Sequence, residues 1–430
     1  MNILYLNHYA GSPQHGMEFR PYYLAQEWVR MGHHVTIVAA DYSHLRYANP
    51  KPQRCYQHEM IDGIHYIWCR TPVYQGNGIR RVINIFTFLA RLIWLEYRHI
   101  HPNTPDIIIA SSTYPLDMLP AAWMARRAHA KLVYEVHDLW PLTPIEVGGM
   151  SPRHPFIQLM QWAEDFAYRR ADVVVSMLPC AKDYMVQHGM APEKYRVIPN
   201  GIRVADWQEG RLPLPEEQAA QLTQLAAQPC FLIGYAGGHG LANALDGLIE
   251  AAAMLQNEAV AFVLLGDGPD KAALMDAVRQ RGLTNVYFLS TVPKQCVPTF
   301  LSKMDALYLG WRKLPIYRFG INPNKLFDYM MAAKPIIHAV TAGNDSVAEA
   351  GAGLSVAAED PAALACAIRT LLAMPVSRRD RMGQAGKAYV MARHDYRVLA
   401  PQFLAGCGEG RLPYFSQHDF QSTGKDSADL

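Results

Sequence analysis

The segment INPNKLFDYMMAAKP gathers polar side chains at the start of an otherwise apolar helical stretch. Asn322 suits the N-cap position and Pro323 the first helical position. Asn324 and Lys325 then fall in the first turn, where backbone N–H groups are unpaired and the helix dipole is positive. Asp328 follows Asn324 by one helical turn and shares its face. A phosphate at these amides and Lys325, with a ribose diol on Asp328, accounts for the set; the alternative is an ordinary capped helix with a solvated Lys and Asp.

A second polar cluster lies in YEVHDLWPLTP, where His137 and Asp138 follow a predicted apolar strand. Ligands of parallel α/β sheets bind at the carboxyl ends of the strands, where these two side chains are expected. A histidine there can donate or accept a hydrogen bond with a substrate hydroxyl. The alternative is a histidine bonded within its own loop. If both clusters bind ligand, two half-sites face each other across a cleft between two domains.

A glycine-containing loop, HYAGSPQHGMEFR, connects the first predicted strand to the first predicted helix. Gly11 and Gly16 permit a positive φ or a close approach of the backbone to a phosphate or sugar ligand. The alternative is a flexible connection with no ligand.

A second loop of this kind lies in GYAGGHGLANALDGLIEAA, where Gly237, Gly238 and Gly240 precede a predicted helix. Free amides at the start of that helix are expected to face an anion. A competing interpretation is a dinucleotide site, because the loop nearly matches the Gly-x-Gly-x-x-Gly fingerprint and Asp267 ends the following strand. Asn243 in the third position and the turn-like GDGPD disfavour that interpretation without removing it.

Short β-branched runs alternate with longer helical periods, and the alternation restarts in the middle of the chain. The predicted strands are NILYLN, HVTIVAA, DIIIAS, KLVYEVH, DVVVSM and YRVIPN, followed by FLIGYAG, AFVLLGD, NVYFLS, DALYLG and KPIIHAV. This pattern predicts an α/β protein with two Rossmann-like parallel-sheet domains facing across a cleft. The predicted division is a first domain 1–203, a linker 204–229, a second domain 230–395, a C-terminal helical segment 396–410 and a disordered tail 411–430.

Composition bounds the class of protein. Of 430 residues, 50% are hydrophobic and 18% charged, which is typical of a globular chain of two or three domains. The net charge of +2 gives no bulk attraction to nucleic acid, so no nucleic-acid partner is expected. Seven dispersed cysteines without zinc spacing indicate reduced thiols. The start, MNILYLNHYAG, shows no secretory signal, and a cytoplasmic location is expected.

The loop with GMEFR, the segments VHDLWP, RVIPNGI and LLGDGP, and above all PNKLFDYMMAAKPII resemble the family-4 glycosyltransferases over nearly the whole chain. The resemblance implies the GT-B fold. It also implies transfer of a sugar from a nucleotide donor, often UDP-linked, with retention of configuration and without a metal or other cofactor. The chain looks like the members that act in bacterial surface-polysaccharide and lipid-linked oligosaccharide synthesis. A glycan or polyprenyl-diphosphate-linked acceptor is therefore expected.

The same resemblance suggests roles for individual residues. Gly16 resembles the glycine near the diphosphate and acceptor, His137 the histidine on the donor sugar, and Val292 the residue whose backbone pairs with the base. The predicted donor-binding set is Gly16, Gly238, Gly240, Val292, Asn324, Lys325 and Asp328. The predicted catalytic set is His137, Asp138 and Lys325, and the acceptor-side candidates are His15, Glu18 and Arg20.

The chain departs from the family pattern at two places. Asp328 matches the second acid of the E-x7-E motif, but the first acid would fall at Gly320. The usual Arg and Lys of the second Gly loop are also missing, with Gly238 and Asn243 near their places. Charge on the leaving diphosphate must be met by other groups. The candidates to supply it are Lys325, Arg20 and Arg318.

Residues 80–101, RRVINIFTFLARLIWLEYRHIH, combine basic flanks with apolar residues. An interfacial helix at the inner face of the plasma membrane fits this pattern, and so does a helix packed on the first sheet. No spanning segment is expected. Two alternatives to the transferase stay open: a nucleotide-sugar epimerase or hydrolase of the same fold, and a non-catalytic nucleotide-sugar-binding protein.

Overall fold

The computed structural model describes residues 1–76, 78–95 and 104–408, which form two α/β units. The strands of the first unit are β1 (Asn2–Leu6), β2 (His34–Ala40), β3 (Tyr56–Ile61), β4 (Ile64–Cys69), β5 (Ile107–Ala110), β6 (Lys131–Val136), β7 (Val173–Ser176) and β8 (Tyr195–Val197). Its helices are α1 (Arg20–Arg30), α2 (Ile79–Trp94), α3 (Met118–Ala128), α4 (Leu142–Glu146), α5 (Pro155–Arg170) and α6 (Lys182–Gln187). The strands pair in the order β3-β4-β2-β1-β5-β6-β7-β8, and only β3 with β4 is antiparallel.

The second unit is a smaller sheet in which every pairing is parallel, in the order β11-β10-β9-β12-β13-β14. Its strands are β9 (Phe231–Ala236), β10 (Val260–Leu265), β11 (Val286–Leu289), β12 (Ala306–Gly310), β13 (Ile336–Ala339) and β14 (Gly353–Val356). Its helices are α9 (Leu245–Met254), α10 (Lys271–Gln280), α11 (Val297–Ser302), α12 (Asn324–Met331), α13 (Ser346–Ala350), α14 (Pro361–Ala373) and α15 (Val376–Arg393). The predicted pair of parallel-sheet domains is therefore confirmed.

The chain crosses between the units twice. Residues 204–229 form helices α7 (Val204–Glu209) and α8 (Glu216–Ala226), which lead into the second unit. The last helix, α16 (Tyr396–Gly406), returns to the first unit and packs on α1, where Trp28 Nε1 donates to the Ala400 carbonyl at 2.9 Å. The predicted tail, residues 411–430, lies outside the described residues.

All eleven predicted strands are present, because apolar runs buried on both faces are typical of parallel strands. The hairpin of β3 and β4 and the edge strand β14 were not predicted. The hairpin turns at Asp62 and Gly63, which both have positive φ (50° and 81°). An Asp-Gly pair between apolar runs favours such a turn, so the sequence did contain this signal.

None of the helices in the described ranges is both long and apolar enough to cross a membrane. All seven cysteines are free thiols, in agreement with the expectation from their spacing.

Candidate functional site

His137 directly follows β6, and its side chain lies on the same face as Glu135 because alternate residues of a strand share a face. The residue is 8% exposed, and its Nε2 lies 2.8 Å from Ser111 Oγ and 3.4 Å from Glu135 Oε2. Burial lowers the pKa of His137, but the hydrogen bond and charge of Glu135 outweigh it and raise the pKa overall. The predicted histidine therefore sits at the strand end as expected, on a buried carboxylate that was not predicted.

Arg20 lies beneath this cluster and is 1% exposed. Its Nε donates to Glu135 Oε1 at 2.9 Å, and its two terminal nitrogens donate to the carbonyls of Pro199 at 2.6 Å and Ile198 at 3.0 Å. Each guanidinium nitrogen is thus bonded within the first domain. The structure places this acceptor-side candidate in a buried ion pair below the cleft instead of on its surface.

Asp138 and Glu18 line the first-domain side of the cleft. Asp138 is exposed and Glu18 half-buried, and the charge of Glu18 contributes to the raised pKa of His137. Burial, together with the charge of Asp138, raises the pKa of Tyr317 in the one-turn 3-10 helix Pro315–Phe319 of the second domain. These groups from two domains therefore converge at one place.

The loop that contains Gly11 and Gly16 is held by its own backbone. Gly11 N–H donates to the Glu18 carbonyl at 2.8 Å, and Glu18 N–H donates to the Tyr9 carbonyl at 3.2 Å. Gly16 has φ +108°, and a Cβ there would lie 2.9 Å from Tyr47 Cδ1. The loop is therefore bonded and packed, in contrast to the flexible alternative, and Gly16 is required by both its conformation and its neighbour.

His15 contacts its own loop and the β3–β4 hairpin. Its Nδ1 lies 2.8 Å from Ser12 Oγ, its Nε2 lies 3.8 Å from Glu59 Oε2 of β3, and its ring is 5.0 Å from that of Trp68. Burial lowers the pKa of His15. Its role toward an acceptor stays a prediction, and the structure places it beside the β3–β4 hairpin.

Lys325, in the first turn of α12, reaches back over the second Gly loop. Its Nζ donates to Tyr235 OH at 2.9 Å and to Asn243 Oδ1. A Cβ at Gly237 would lie 2.8 Å from Lys325 Cδ, so the glycine makes room for this lysine. Burial lowers the pKa of Lys325 to about 8. The lysine and the loop, separated by some 80 residues of sequence, form one cationic corner.

The start of α12 differs from the prediction. Pro323 occupies the N-cap position, the helix begins at Asn324, and no side chain caps it. Asn322 instead donates through Nδ2 to the Met177 carbonyl of the first domain at 3.2 Å, and Asn324 Oδ1 accepts from Asn200 Nδ2. The asparagines that were read as a cap and a phosphate ligand therefore join the two domains in this conformation.

The second Gly loop was predicted to lead directly into a helix, but it does not. The 3-10 turn Leu241–Asn243 and Ala244, in the left-handed conformation with φ 46°, separate Gly240 from α9. The Gly238 carbonyl accepts from Asn243 Nδ2 at 2.9 Å. The helix amides expected after Gly240 are displaced by one turn, and the loop is closed by its own side chain.

Asp328 of α12 contacts helix α7, which connects the two domains. Its Oδ1 accepts from Trp207 Nε1 of α7 at 3.1 Å. Burial raises the pKa of Asp328, and the charge of Lys294 opposes this effect. Lys294 Nζ lies 5.5 Å from the ring centroid of Phe19 in the first domain, which places a second cation across the cleft. The sequence interpretation did not include Trp207 or Lys294.

The ends of β10 and β11 carry two further residues of the sequence interpretation. Asp267 Oδ1 accepts from its neighbour Gly268 N–H at 2.9 Å, so part of this carboxylate is used within its own turn. Val292 is half-buried at the edge of the second domain's core. Pairing of its backbone with a base stays a prediction.

Two family models match the chain, one for each domain. The first, described as "Glycosyl transferase 4-like domain", matches residues 15–201, and the second, described as "Glycosyl transferases group 1", matches residues 230–374. The chain belongs to the family-4 glycosyltransferases. This agrees with the family that the sequence motifs resemble, and with a site built from both domains.

Two curated relatives match this glycosyltransferase at low identity but over most of its length. The putative colanic acid biosynthesis glycosyl transferase WcaI of Escherichia coli strain K12 is 22% identical over 303 residues, which cover 65% of this chain and 69% of WcaI. The probable glycosyltransferase WbjE of Pseudomonas aeruginosa is 24% identical over 339 residues, which cover 77% and 80%.

Solved structures share the GT-B fold of this glycosyltransferase. HepE (Alr3699) of Anabaena, in complex with UDP and glucose, superposes with a TM-score of 0.65 at 18% identity, covering 95% of this chain and 99% of HepE. The sucrose-phosphate synthase of Thermosynechococcus elongatus gives a TM-score of 0.66 at 17% identity, covering 94% and 98%. At these identities the likeness shows the fold alone.

Of the three cations proposed to meet diphosphate charge in this glycosyltransferase, two are engaged with carboxylates. Arg20 pairs with Glu135, and Arg318 makes two hydrogen bonds of 2.8 Å to the carboxylate of Glu146 across the domain boundary. Lys325 has only neutral partners among the described residues. It is the candidate left with an uncompensated charge.

One group of potential metal ligands is present in the described part of this glycosyltransferase. Glu164 and Asp165 of α5 lie close to His188, which follows α6. None of the three is a predicted site residue. The expectation that transfer needs no metal stays a prediction.

Proposed function

We propose that this glycosyltransferase moves a sugar from a UDP-sugar to a glycan or polyprenyl-diphosphate-linked acceptor in surface-polysaccharide synthesis, with retention of configuration and without a metal. The observation that carries the proposal is the cationic corner formed by Lys325 on the second Gly loop. Support for UDP comes from HepE, which has been solved with UDP-glucose, and support for the pathway class comes from WcaI.

In the proposed complex, Lys325 binds the diphosphate. The lysine is poised for an anion because burial lowers its pKa to about 8 and its partners, Tyr235 and Asn243, are neutral. A bound diphosphate supplies the missing counter-charge and thereby favours the protonated lysine. As the sugar leaves, negative charge grows on the diphosphate, and the lysine stabilises it without a metal.

The sugar lies on the first-domain side, against His137. The Nε2 atom of His137 is hydrogen-bonded to Ser111, so Nδ1 is the ring nitrogen available to a sugar hydroxyl or a phosphate oxygen. The carboxylate of Asp328, which also accepts from Trp207 Nε1, accepts hydrogen bonds from the two ribose hydroxyls. The acceptor enters between Glu18 and Asp138, and closure of the domains excludes water that would otherwise hydrolyse the donor.

We also propose that α2 rests on a membrane surface. Asn84 and Phe88 are buried against the domain, as in a helix packed on the first sheet, while the other face leaves large apolar side chains exposed, which supports the proposal of membrane contact. Those exposed side chains are Ile79, Ile83, Phe86, Ile93 and Trp94. The part of the predicted segment from residue 96 to 101 lies outside the described residues.

A groove beside α2 adds basic groups to this apolar face. It encloses about 920 Å³ and is lined by Lys51, Arg70 and Arg91, while Asp41 in the same groove is used by Thr71 N–H and Oγ1 at 2.8 Å each. Apolar and basic groups on one face are typical of binding to an anionic lipid surface. Such a position brings the acceptor side of the cleft to a lipid-linked substrate.

Calorimetric titration with UDP, GDP and ADP, each with and without magnesium, tests the donor site. Metal-independent binding of UDP in the micromolar range supports the proposal, and the UDP-sugars can then be tested for transfer to lipid-linked acceptors. Binding of NAD in place of these nucleotides would refute it. Turnover of a UDP-sugar that needs no acceptor would favour the epimerase or hydrolase alternative.

A further inference from the structure

Glu135 is a fully buried carboxylate near the carboxyl end of β6, a strand that is otherwise largely apolar. Oε1 accepts from Arg20 Nε at 2.9 Å, and Oε2 accepts from Ser111 Oγ at 2.6 Å and from Tyr5 OH. The ion pair with Arg20 satisfies the need of a buried charge for a partner. The approach of His137 Nε2 to within 3.4 Å is additional to that need.

The hydrogen bonds of Ser111 determine which nitrogen of His137 carries a proton. The hydroxyl has one hydrogen, which it donates to Glu135, and it accepts from Asn7 Nδ2 at 3.2 Å. Its remaining lone pair faces His137 Nε2 at 2.8 Å, so Nε2 must be the donor in that contact. Nδ1 has no hydrogen-bond partner among the residues that the structure describes, and it is left for a ligand.

The charges of this cluster favour a second proton on the ring. Burial works against ionised Glu135, but the charge of Arg20, together with the contacts of His137 and Ser111, outweighs it and holds the pKa of that carboxyl well below its usual range. The ionised carboxylate then raises the pKa of His137 against the effect of burial, and Glu18 adds to this from the cleft. Both nitrogens of the imidazolium are donors, so Nδ1–H becomes a charged donor.

We propose that Glu135 is a positioning residue for His137: through Ser111 it fixes the Nε2–H, and through its charge it keeps the ring cationic, so that Nδ1–H binds an anionic oxygen of the donor. This inference rests on the proposed function. In the transition state of sugar transfer, the charged Nδ1–H stabilises the growing charge from the face opposite Lys325. The two domains then contribute one cation each.

The test measures transfer rate against pH for the wild type, Glu135→Gln and Ser111→Ala. In Glu135→Gln the alkaline fall in rate should begin about 1–3 pH units lower, because the anion that favours the imidazolium is gone. Ser111→Ala should lower kcat roughly tenfold, as for one lost hydrogen bond, with a smaller change in the pH profile. UDP affinity should change less than kcat in both variants, because Lys325 of the second domain is left intact.

Glu164→Gln is the matched control, because Glu164 is also a fully buried glutamate of the first domain. Its partners are the hydroxyls of Tyr168 and Tyr184 and the side-chain amide of Gln161, and none of these contacts His137 among the described residues. This variant should keep the wild-type pH profile. A purely structural role for Glu135 predicts that both glutamate variants lose stability without a shift in the profile, and that result would overturn the proposal.

Two further outcomes are separable. If Glu135→Gln does not fold because Arg20 loses its partner, Ser111→Ala decides, since it leaves the ion pair intact; a wild-type kcat there refutes the positioning role. If the wild type transfers no sugar, the proposed function fails. NMR titration of His137 in the unliganded protein then tests Glu135 by itself, and a His137 pKa at or below that of a free imidazole refutes the inference.

Discussion

Replacing Lys325 with methionine removes the cation that we expect to hold the diphosphate of the donor. The substitution keeps the length of the side chain and its contact with Gly237. In the wild type, Lys325 Cδ packs so closely on this glycine that a Cβ added there would lie 2.8 Å from it. It leaves Tyr235 OH and Asn243 Oδ1 without their shared donor. Because both partners are neutral and lie beside the cleft, we expect water to replace the lost hydrogen bonds and the fold to survive.

The expected loss of UDP affinity follows from the protonated and the neutral state of Lys325. A hydrogen bond to a charged group contributes roughly 1.5–3 kcal/mol, so Lys325→Met should weaken UDP binding about 10- to 150-fold near pH 7. A lysine with a pKa of about 8 is mostly protonated at pH 7 and about one-eleventh protonated at pH 9. Wild-type affinity for UDP should therefore fall roughly tenfold between pH 7 and pH 9.

Isothermal titration with UDP across this pH range provides the assay. The Lys325→Met variant should show weak binding with little dependence on pH, whereas Lys303→Met, at an exposed lysine that follows α11, should behave as the wild type. Wild-type affinity in Lys325→Met, or a wild type whose affinity is constant from pH 7 to pH 9, would show that the diphosphate is bound elsewhere.

Three further predictions concern the ribose, the membrane and acid stability. Asp328→Asn should weaken UDP binding by roughly 1.5–3 kcal/mol, and unchanged affinity in calorimetry would exclude a ribose contact. The double variant Ile83→Glu and Phe86→Glu should lose co-sedimentation with anionic vesicles, while Met254→Glu, at an exposed methionine of α9, should retain it. Burial lowers the pKa of His239 from 6.5 to about 4, so the unfolded chain takes up a proton in this window that the folded chain does not, and stability falls with pH. His239→Leu should lessen the loss of stability between pH 6.5 and pH 4 in urea unfolding; an identical loss would contradict a neutral, buried His239.

The sheets could be predicted because their strands are continuous apolar runs, and period and length distinguish these from the helices between them. The hairpin of β3 and β4 escaped because YQHEMI mixes polar and apolar residues, as expected of an edge strand that only one neighbour covers. Its Asp62-Gly63 turn was the readable signal. The hydrophobic pattern of the sequence does not decide whether a turn motif such as Asp62-Gly63 joins two strands when one of them is largely polar.

The positions of the candidate residues were predictable where local sequence decides, and their contacts were not where distant partners decide. His137 lies at a strand end and Lys325 at a helix start, as predicted, because these positions are defined by their own sequence, and their roles toward the donor stay predictions. The ion pair of Arg20 was not predicted, since nothing local shows that Glu135, distant in sequence, pairs with it at 2.9 Å. Asn322 was read as a cap for the same reason: its partner is the Met177 carbonyl, 145 residues away.

In the proposed mechanism, the distribution of charge over the two domains makes sugar transfer depend on closure. Lys325 belongs to the second domain and His137 to the first, so a donor held by one domain alone meets only one of the two cations. Two of the contacts that join the domains, Asn322 to the Met177 carbonyl and Arg318 to Glu146, carry no net charge into the cleft, because the first is neutral and the ion pair of the second is internally neutral. Opening therefore separates the two cations without leaving an unpaired charge at the boundary. We expect nucleotide binding to depend on Lys325 in either state, and sugar transfer to depend on the closed state, in which both cations reach the diphosphate.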